Sequence, residues 1–401
     1  MKKSWKVEDI NQVHVELSNN CNAMCPLCAR ISHGAVRRYE RHQISISQFR
    51  EWFDEAFVSR VIHWVFCGSR GDPTMCNDLN DIIRYIKQVK ADADIRINTN
   101  GGARNNAFWQ ELGTLFAATS NNRVLFGIDG LRDSNHLYRR GVNWDKLMEN
   151  VATYIAAGGK AQWDFLVFEH NEHQIEEAKL LSTTMGFTSF EPKRTLGFDH
   201  GNEIPVYSRH GKFEYFIKGP KQVKYRSIVE IKPGHPASEV DNIEDYLDKE
   251  DHWESELMSR FANLSEDDFQ NDSYIAEFKG KEVSCMSLGG ETKWVDQTEI
   301  FVGPDGIVNP CCFVDTSMFV PTRGQLITEQ MQYLARSHGL EKFNLNNNSL
   351  KEIMTHINLV YADSWSKPAG KHGIQTFCQA HCSKMSRIAL LYVNKASRSD
   401  E

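Results

Sequence analysis

The chain has 401 residues, more than the ~100 to 200 of a typical single domain, so its length predicts one large domain plus a smaller one. With 46 Lys+Arg against 53 Asp+Glu the formal net charge is −7, which excludes a general nucleic-acid binder; 41% hydrophobic and 25% charged residues exclude a disordered or fibrous chain. No apolar run reaches the ~18 residues of a membrane helix. The basic start at Lys2-Lys3 runs into Glu8-Asp9 instead of an apolar stretch, so the expected location is the cytoplasm, away from membranes.

Along the chain, Val13, Val15 and Leu17 alternate with His14 and Glu16, the period of a strand. Ser45 or Ser47 is placed to cap a helix running to about Arg60, with Phe49, Phe53 and Phe57 as its core stripe. Strands are then expected at 63–66, 95–98, 123–128 and 162–168, each followed by a helix, at 77–90, 105–118, 143–157 and 172–185. A sixth strand is expected at 188–191. Strands and helices alternating in this way are βαβ units, which close into a parallel sheet. The predicted class is α/β, a partial (β/α)6 TIM-like barrel over residues 1–197, whose functional groups belong on loops after the strand C-termini.

From about 200 to 281 the alternation is lost. Pro233-Gly234-His235-Pro236 breaks the chain, and Glu239 to Glu256 holds nine acidic residues against Lys249 alone, the pattern of a solvated face. Residues 198–282 are therefore read as an acidic linker or insertion without assigned function. Beyond it, apolar runs flank Pro304-Asp305-Gly306, a hairpin signal, and Cys311-Cys312 follow at once. Cys378-Gln379-Ala380-His381-Cys382 precedes a helix expected through 388–391, which makes 283–401 a smaller hairpin-plus-helix domain.

Ten cysteines are too dilute for a disulfide scaffold, and their clustering points to metal or redox ligands. Cys21, Cys25 and Cys28 form a C-x3-C-x2-C run on one loop. Zinc takes four ligands and favours paired C-x2-C knuckles, so this trio suits a 4Fe-4S cubane better. Three thiolates leave one iron free to bind a chelator carrying an amine and a carboxylate. Cys285, Cys311, Cys378 and Cys382 form a second candidate ligand set, with Cys312 as the alternative to Cys311. Cys67 and Cys76 stand outside both sets and read as buried thiols.

The C-x3-C-x2-C loop directly after a first strand resembles the signature of the radical S-adenosylmethionine superfamily. The resemblance implies that the open iron chelates the methionine moiety of the cofactor, and that one-electron cleavage yields methionine and a 5′-deoxyadenosyl radical. In the family the residue before the third cysteine packs near the adenine; here it is Leu27, which offers apolar contact without a stacking face. Gly68-Ser69-Arg70-Gly71-Asp72-Pro73 resembles the family's Gly-Gly-Glu-Pro motif, which implies cofactor contacts by Gly68, Gly71, Asp72 and Pro73. Asn98 and Asn100, at the end of the third strand, take the same expectation. Gly127-Ile128-Asp129-Gly130, with His136 and Arg140-Gly141, resembles the Ser-Ile-Asp-Gly stretch of peptide-modifying members and adds Asp129. Glu169 and Asn171, after the fifth strand, are candidates for the ribose or the methionine carboxylate. Glu191, Lys193 and Arg194 are the candidate catalytic residues at the sixth.

The later cysteines, with Gly306 five residues before Cys311, resemble a SPASM or twitch extension. Five cysteines match a twitch domain with one auxiliary 4Fe-4S cluster better than a full SPASM domain. The function implied is oxidation or crosslinking of a peptide, with a flavodoxin or ferredoxin as electron donor. Only about a dozen residues precede the first strand, so a separate leader-peptide recognition protein is the expected partner. Dehydrogenation or epimerisation of a small polar metabolite is the second reading. A zinc-stabilised, non-catalytic binding protein is the alternative from another class.

Overall fold

The computed structural model describes residues 4–117, 121–195, 203–225, 240–250, 252–265, 298–312, 314–315, 333 and 335–362. Cys285, Cys378, Cys382, the break at Pro233 to Pro236 and the helix expected at 388–391 lie outside the described residues. The chain forms two units, one of Val15–Leu247 and one of Met1–His14 with Asp248–Glu401.

The strands are β1 (Gln12–Val15), β2 (Ile31–Ser32), β3 (Ala35–Val36), β4 (His63–Phe66), β5 (Asp94–Thr99), β6 (Arg123–Gly127), β7 (Ala161–Leu166), β8 (Ser189–Lys193), β9 (Glu203–Tyr207), β10 (Phe213–Lys218), β11 (Glu299–Val302) and β12 (Val308–Asn309). The helices are α1 (Ile46–Trp52), α2 (Glu55–Val58), α3 (Leu79–Val89), α4 (Asn106–Ala117), α5 (Asn135–Tyr138), α6 (Trp144–Ala156), α7 (Ile175–Met185), α8 (Ile243–Glu250), α9 (Trp253–Asn263) and α10 (Leu350–Ile357).

Within the unit of Val15–Leu247 the strands run in the order β4-β5-β6-β7-β8. From β4 to β8 every neighbouring pair is parallel, as expected when helices α3, α4, α6 and α7 carry the crossovers. This is the anticipated partial (β/α)6 barrel. The strands alternate on it: in β5, Ile95 and Ile97 are fully buried on the helix side, while Asp94, Arg96 and Asn98 take the opposite, inner face. The helix side is aromatic. Trp109 of α4 packs at 5.4 Å from Phe126 of β6, and Tyr154 of α6 at 5.8 Å from the same ring. Burying each such side chain contributes roughly 1.5–3 kcal/mol, which fixes the strand ends where the loops begin.

One expected element differs. The helix anticipated from Ser45 to Arg60 is two helices, because the Asp54 carboxylate accepts a hydrogen bond from Phe57 N at 2.7 Å and starts α2 afresh. Ser45 caps α1 through a capping box with Gln48, and Phe49, Phe53 and Phe57 are buried as expected.

In the other unit β11 and β12 form an antiparallel hairpin in the order β12-β11-β1. Its turn uses Gly306 at φ +86, with Gly303 N donating to Ile307 O at 2.8 Å, so Pro304-Asp305-Gly306 forms the expected turn. Trp5 is fully buried here, held by a reciprocal pair of 2.8 Å bonds with the Asn358 amide. Among the described residues no helix is long and apolar enough to cross a membrane.

Candidate functional site

Three loops converge beyond β1, β4 and β5. Cys21, Cys25 and Cys28 lie on the first, and a short turn, Cys28 N to Cys25 O at 2.9 Å, sets the last two. Gly71 lets the second loop pass against the first: a Cβ there would stand 1.9 Å from Ser18 O, so no side chain fits. Asp72 N donates to Asn20 O at 2.8 Å, tying the cysteine loop to the glycine motif.

Asp72 is the joint of this mouth. It is 3% exposed, and its carboxylate accepts from Thr74 N and Oγ1, Thr99 Oγ1, and Asn100 N and Nδ2. These bonds span the ends of β4 and β5. Asn100 reaches further: its Nδ2 lies 2.9 Å from Asn22 Oδ1 and 3.6 Å from Cys21 Sγ. Pro73 is buried and opens a single 3-10 turn, while Gly68 sits two residues after β4. Leu27 is half-buried on the cysteine loop.

Asp129, fully buried after β6, accepts from Leu166 N at 2.7 Å and pairs with Arg139 Nε at 2.6 Å. Arg139 Nη1 stands 3.7 Å from Cys25 Sγ. A Cβ on Gly127 would lie 2.3 Å from Arg139 Nη2, so the guanidinium occupies the space a larger residue would need. Arg30, also buried, donates to Ala23 O at 2.6 Å and faces Cys21 and Cys28 electrostatically. Burial pushes the Cys21 thiol up to about 12, aided by the Asp72 charge, and Cys25 up to about 11 against the opposing Arg139. Among the described residues no three His, Cys, Asp or Glu side chains close round one point as ligands of a single ion. A cubane takes its three thiolates at separate corners, and two guanidiniums and the Asn100 amide facing the sulfurs supply the charge and donors that an anionic cluster requires. The donor set fits such a cluster.

The remaining candidates are placed as follows. Asn171 is fully buried and spends its amide inside the protein, accepting from Phe168 N and donating to Asp129 O and Leu166 O. Glu169 pairs with Lys221 at 2.9 Å, which holds its carboxyl below the usual range. Lys193 pairs with Asp164 of β7; Glu191 is exposed, and Arg194 is exposed with Nε bonded to Lys224 O at 2.6 Å. Cys311 and Cys312, in the other unit, follow β12 after Pro310 and are half-buried. Of the candidates, Cys21, Cys25, Cys28, Asp72, Asn100 and Asp129 thus belong to one continuous set of contacts.

Sequence reasoning missed Glu16. It is buried, and its carboxylate accepts from Ser69 N at 2.5 Å and Arg70 N at 2.8 Å, holding the glycine motif from the position just after β1. Burial pushes it up to about 7, opposed by Arg70. Its signal was a lone acid in the apolar alternation, directly before the cysteine loop. Arg139 was also missed, although it adjoins the Arg140-Gly141 pair.

The fold and site thus define an α/β partial barrel with a three-thiol loop at the mouth. Residues 15–181 match the radical SAM superfamily model and carry a domain of that superfamily. Among solved structures, Streptococcus suis SuiB bound to S-adenosylmethionine is 13% identical with a TM-score of 0.42, covering 79% of this chain and 62% of SuiB. SuiB bound to its precursor peptide SuiA gives 13% and 0.42, with 81% and 64% covered. Native anSMEcpe with bound AdoMet and a Cp18Cys peptide is 14% identical with a TM-score of 0.45, covering 96% and 94%. The chain therefore spans less than two thirds of the length of SuiB. The comparison with curated proteins found no match.

Proposed function

We propose that the protein is a radical S-adenosylmethionine enzyme that oxidises or crosslinks a peptide. The observation that carries the first part is the placement of the cysteine trio directly after β1, with Asp72, Asn100 and Asp129 at the ends of the next strands of a radical SAM superfamily domain. Cys21, Cys25 and Cys28 would hold the cubane. When bound, cluster and cofactor supply one-electron cleavage of the sulfonium and hydrogen abstraction from substrate. The chain's own residues do the rest: Asp72 fixes the second and third loops in register, Asn100 donates toward Cys21, and the Asp129–Arg139 pair keeps a cation against Cys25.

The peptide part rests on the Asp129-Gly130 to Gly141 stretch, and SuiB, among the similar folds, is one that binds a precursor peptide. An auxiliary cluster on Cys285, Cys311 or Cys312, Cys378 and Cys382 would serve electron transfer, with flavodoxin or ferredoxin as donor. We keep the domain reading of barrel 1–197, acidic insertion 198–282 and auxiliary domain 283–401. Anaerobic protein given dithionite and S-adenosylmethionine should release 5′-deoxyadenosine, and Cys25→Ala should abolish the release. A colourless zinc protein inert under those conditions overturns the reading.

A further inference from the structure

The inner face of the parallel sheet carries charges that the cluster loops do not use. Arg96 of β5 and Arg123 of β6 are register partners, so their side chains lie side by side on that face. Two residues further along β5 the same face presents Asn98, beside Leu125. Arg96 Nε and Asn98 Oδ1 are buried without a hydrogen-bond partner, and neither arginine forms an ion pair among the described residues. The acids that share this face pair with neither arginine, although Asp94 keeps one buried oxygen, Oδ1, without a hydrogen bond. Asp94 pairs with His63 at 3.0 Å, Asp164 pairs with Lys193, and Glu16 accepts from the Ser69 and Arg70 amides.

Like charges placed directly opposite in a sheet are destabilising, and the buried Arg96 Nε–H without an acceptor adds to that cost. An arrangement that keeps both fits a missing anion. Cys67, half-buried after β4, lies within electrostatic reach of both Arg96 and Lys193 of β8, so inner residues of strands four places apart share this face. We propose that Arg96 and Arg123 bind an oxyanionic group of the substrate inside the barrel, with Asn98 Oδ1 accepting from an N–H or O–H of the same molecule, an inference that rests on reading this unit as the catalytic barrel. From Arg96 to Asn100, which touches Cys21, is four residues, or ~13 Å of strand. The substrate would lie with its anion at the base and its reacting carbon toward the cysteine mouth.

The test is calorimetric titration of the full-length, anaerobically purified protein with glutarate, inorganic phosphate and the blocked peptide Ac-Ala-Ala-Glu-Ala-Ala-NH2. Glutaramide and the Gln peptide serve as uncharged counterparts. At least one anion should bind, its neutral counterpart should not, and Arg96→Gln or Arg123→Gln should weaken binding about tenfold or more. Glutarate, phosphate or the Glu peptide as the tightest ligand assigns the group to a small acid, a phosphate or a peptide side chain respectively. No binding of any anion, or binding indifferent to both substitutions, overturns the proposal. A second readout guards against misfolding: without ligand each variant should melt at or above the wild-type midpoint, because a like-charge pair is relieved. A marked drop assigns the arginines to structure and also overturns it. Wild-type release of 5′-deoxyadenosine is measured separately. Release without anion binding sinks this inference alone, and arginine-dependent binding without release sinks the enzyme reading alone.

Discussion

At the scale of single residues, the site is governed by charges removed from water. Asp129 has no exposure and one cationic partner, so Arg139→Gln strands a buried carboxylate; such truncations cost about 3–5 kcal/mol. Chemical denaturation should show that loss, and a change below about 1 kcal/mol would mean that the pair does not hold the loop. Glu16 gives a pH signature. Burial pushes its carboxyl from the ordinary 4.5 up to about 7, so between these values the folded chain keeps a proton that the unfolded chain has released. Stability from this group therefore falls as pH rises through that window, by on the order of 3 kcal/mol. The difference between wild type and Glu16→Gln, followed from pH 4 to 8, should display that slope; parallel curves would contradict the assignment. Neither residue's role was legible beforehand, because both depend on groups far off in sequence: Ser69 and Arg70 for Glu16, Leu166 for Asp129.

At the scale of elements, the strand ends are coupled through short polar joints. Asp72 gathers donors from its own turn and from the end of β5, so Asp72→Ala leaves the Thr99 hydroxyl and the Asn100 amide without their shared acceptor. A loss of roughly 3 kcal/mol or more in unfolding free energy is expected. The longer acid in Asp72→Glu must overpack the same pocket, at ~1–3 kcal/mol. A fully tolerated Glu would show that the joint is looser than its hydrogen bonds imply. Gly127→Ser tests the neighbouring loop: the added atoms meet the Arg139 guanidinium, so the variant should lose stability and retain less iron after reconstitution. Unchanged iron retention would separate Arg139 from the cluster site. Much at this scale was readable. Alternating Val13, Val15 and Leu17, the spaced strands and the Ser45 cap are local signals, and local signals survive folding. The division between α1 and α2 was hidden because the Phe49, Phe53 and Phe57 stripe continues across it, and the stripe outweighed the capping capacity of Asp54.

For the whole molecule, the parallel strands β4 to β8 with their helices were foreseeable from alternation alone, since βαβ connections leave few topologies. The grouping of Met1–His14 with the C-terminal part was not. Trp5 is buried through Asn358 and Glu299, contacts nearly three hundred residues or more away, and nothing in the first dozen residues announces them. The two cysteine groups make a prediction at this scale. With two cubanes the chain should hold about eight irons after reconstitution, and the triple variant Cys21→Ala, Cys25→Ala, Cys28→Ala about four. A triple variant devoid of iron would leave Cys311, Cys312 and the later cysteines without a cluster.

The central claim is that the iron left without a thiolate by Cys21, Cys25 and Cys28 chelates the cofactor. It is tested most directly by electron–nuclear double resonance on the reduced protein with S-adenosylmethionine labelled by 15N at the amino group and 17O at the carboxylate. Hyperfine coupling from both labels to the cluster, absent in Cys25→Ala, is the expected result; a reduced cluster showing neither coupling would contradict the account.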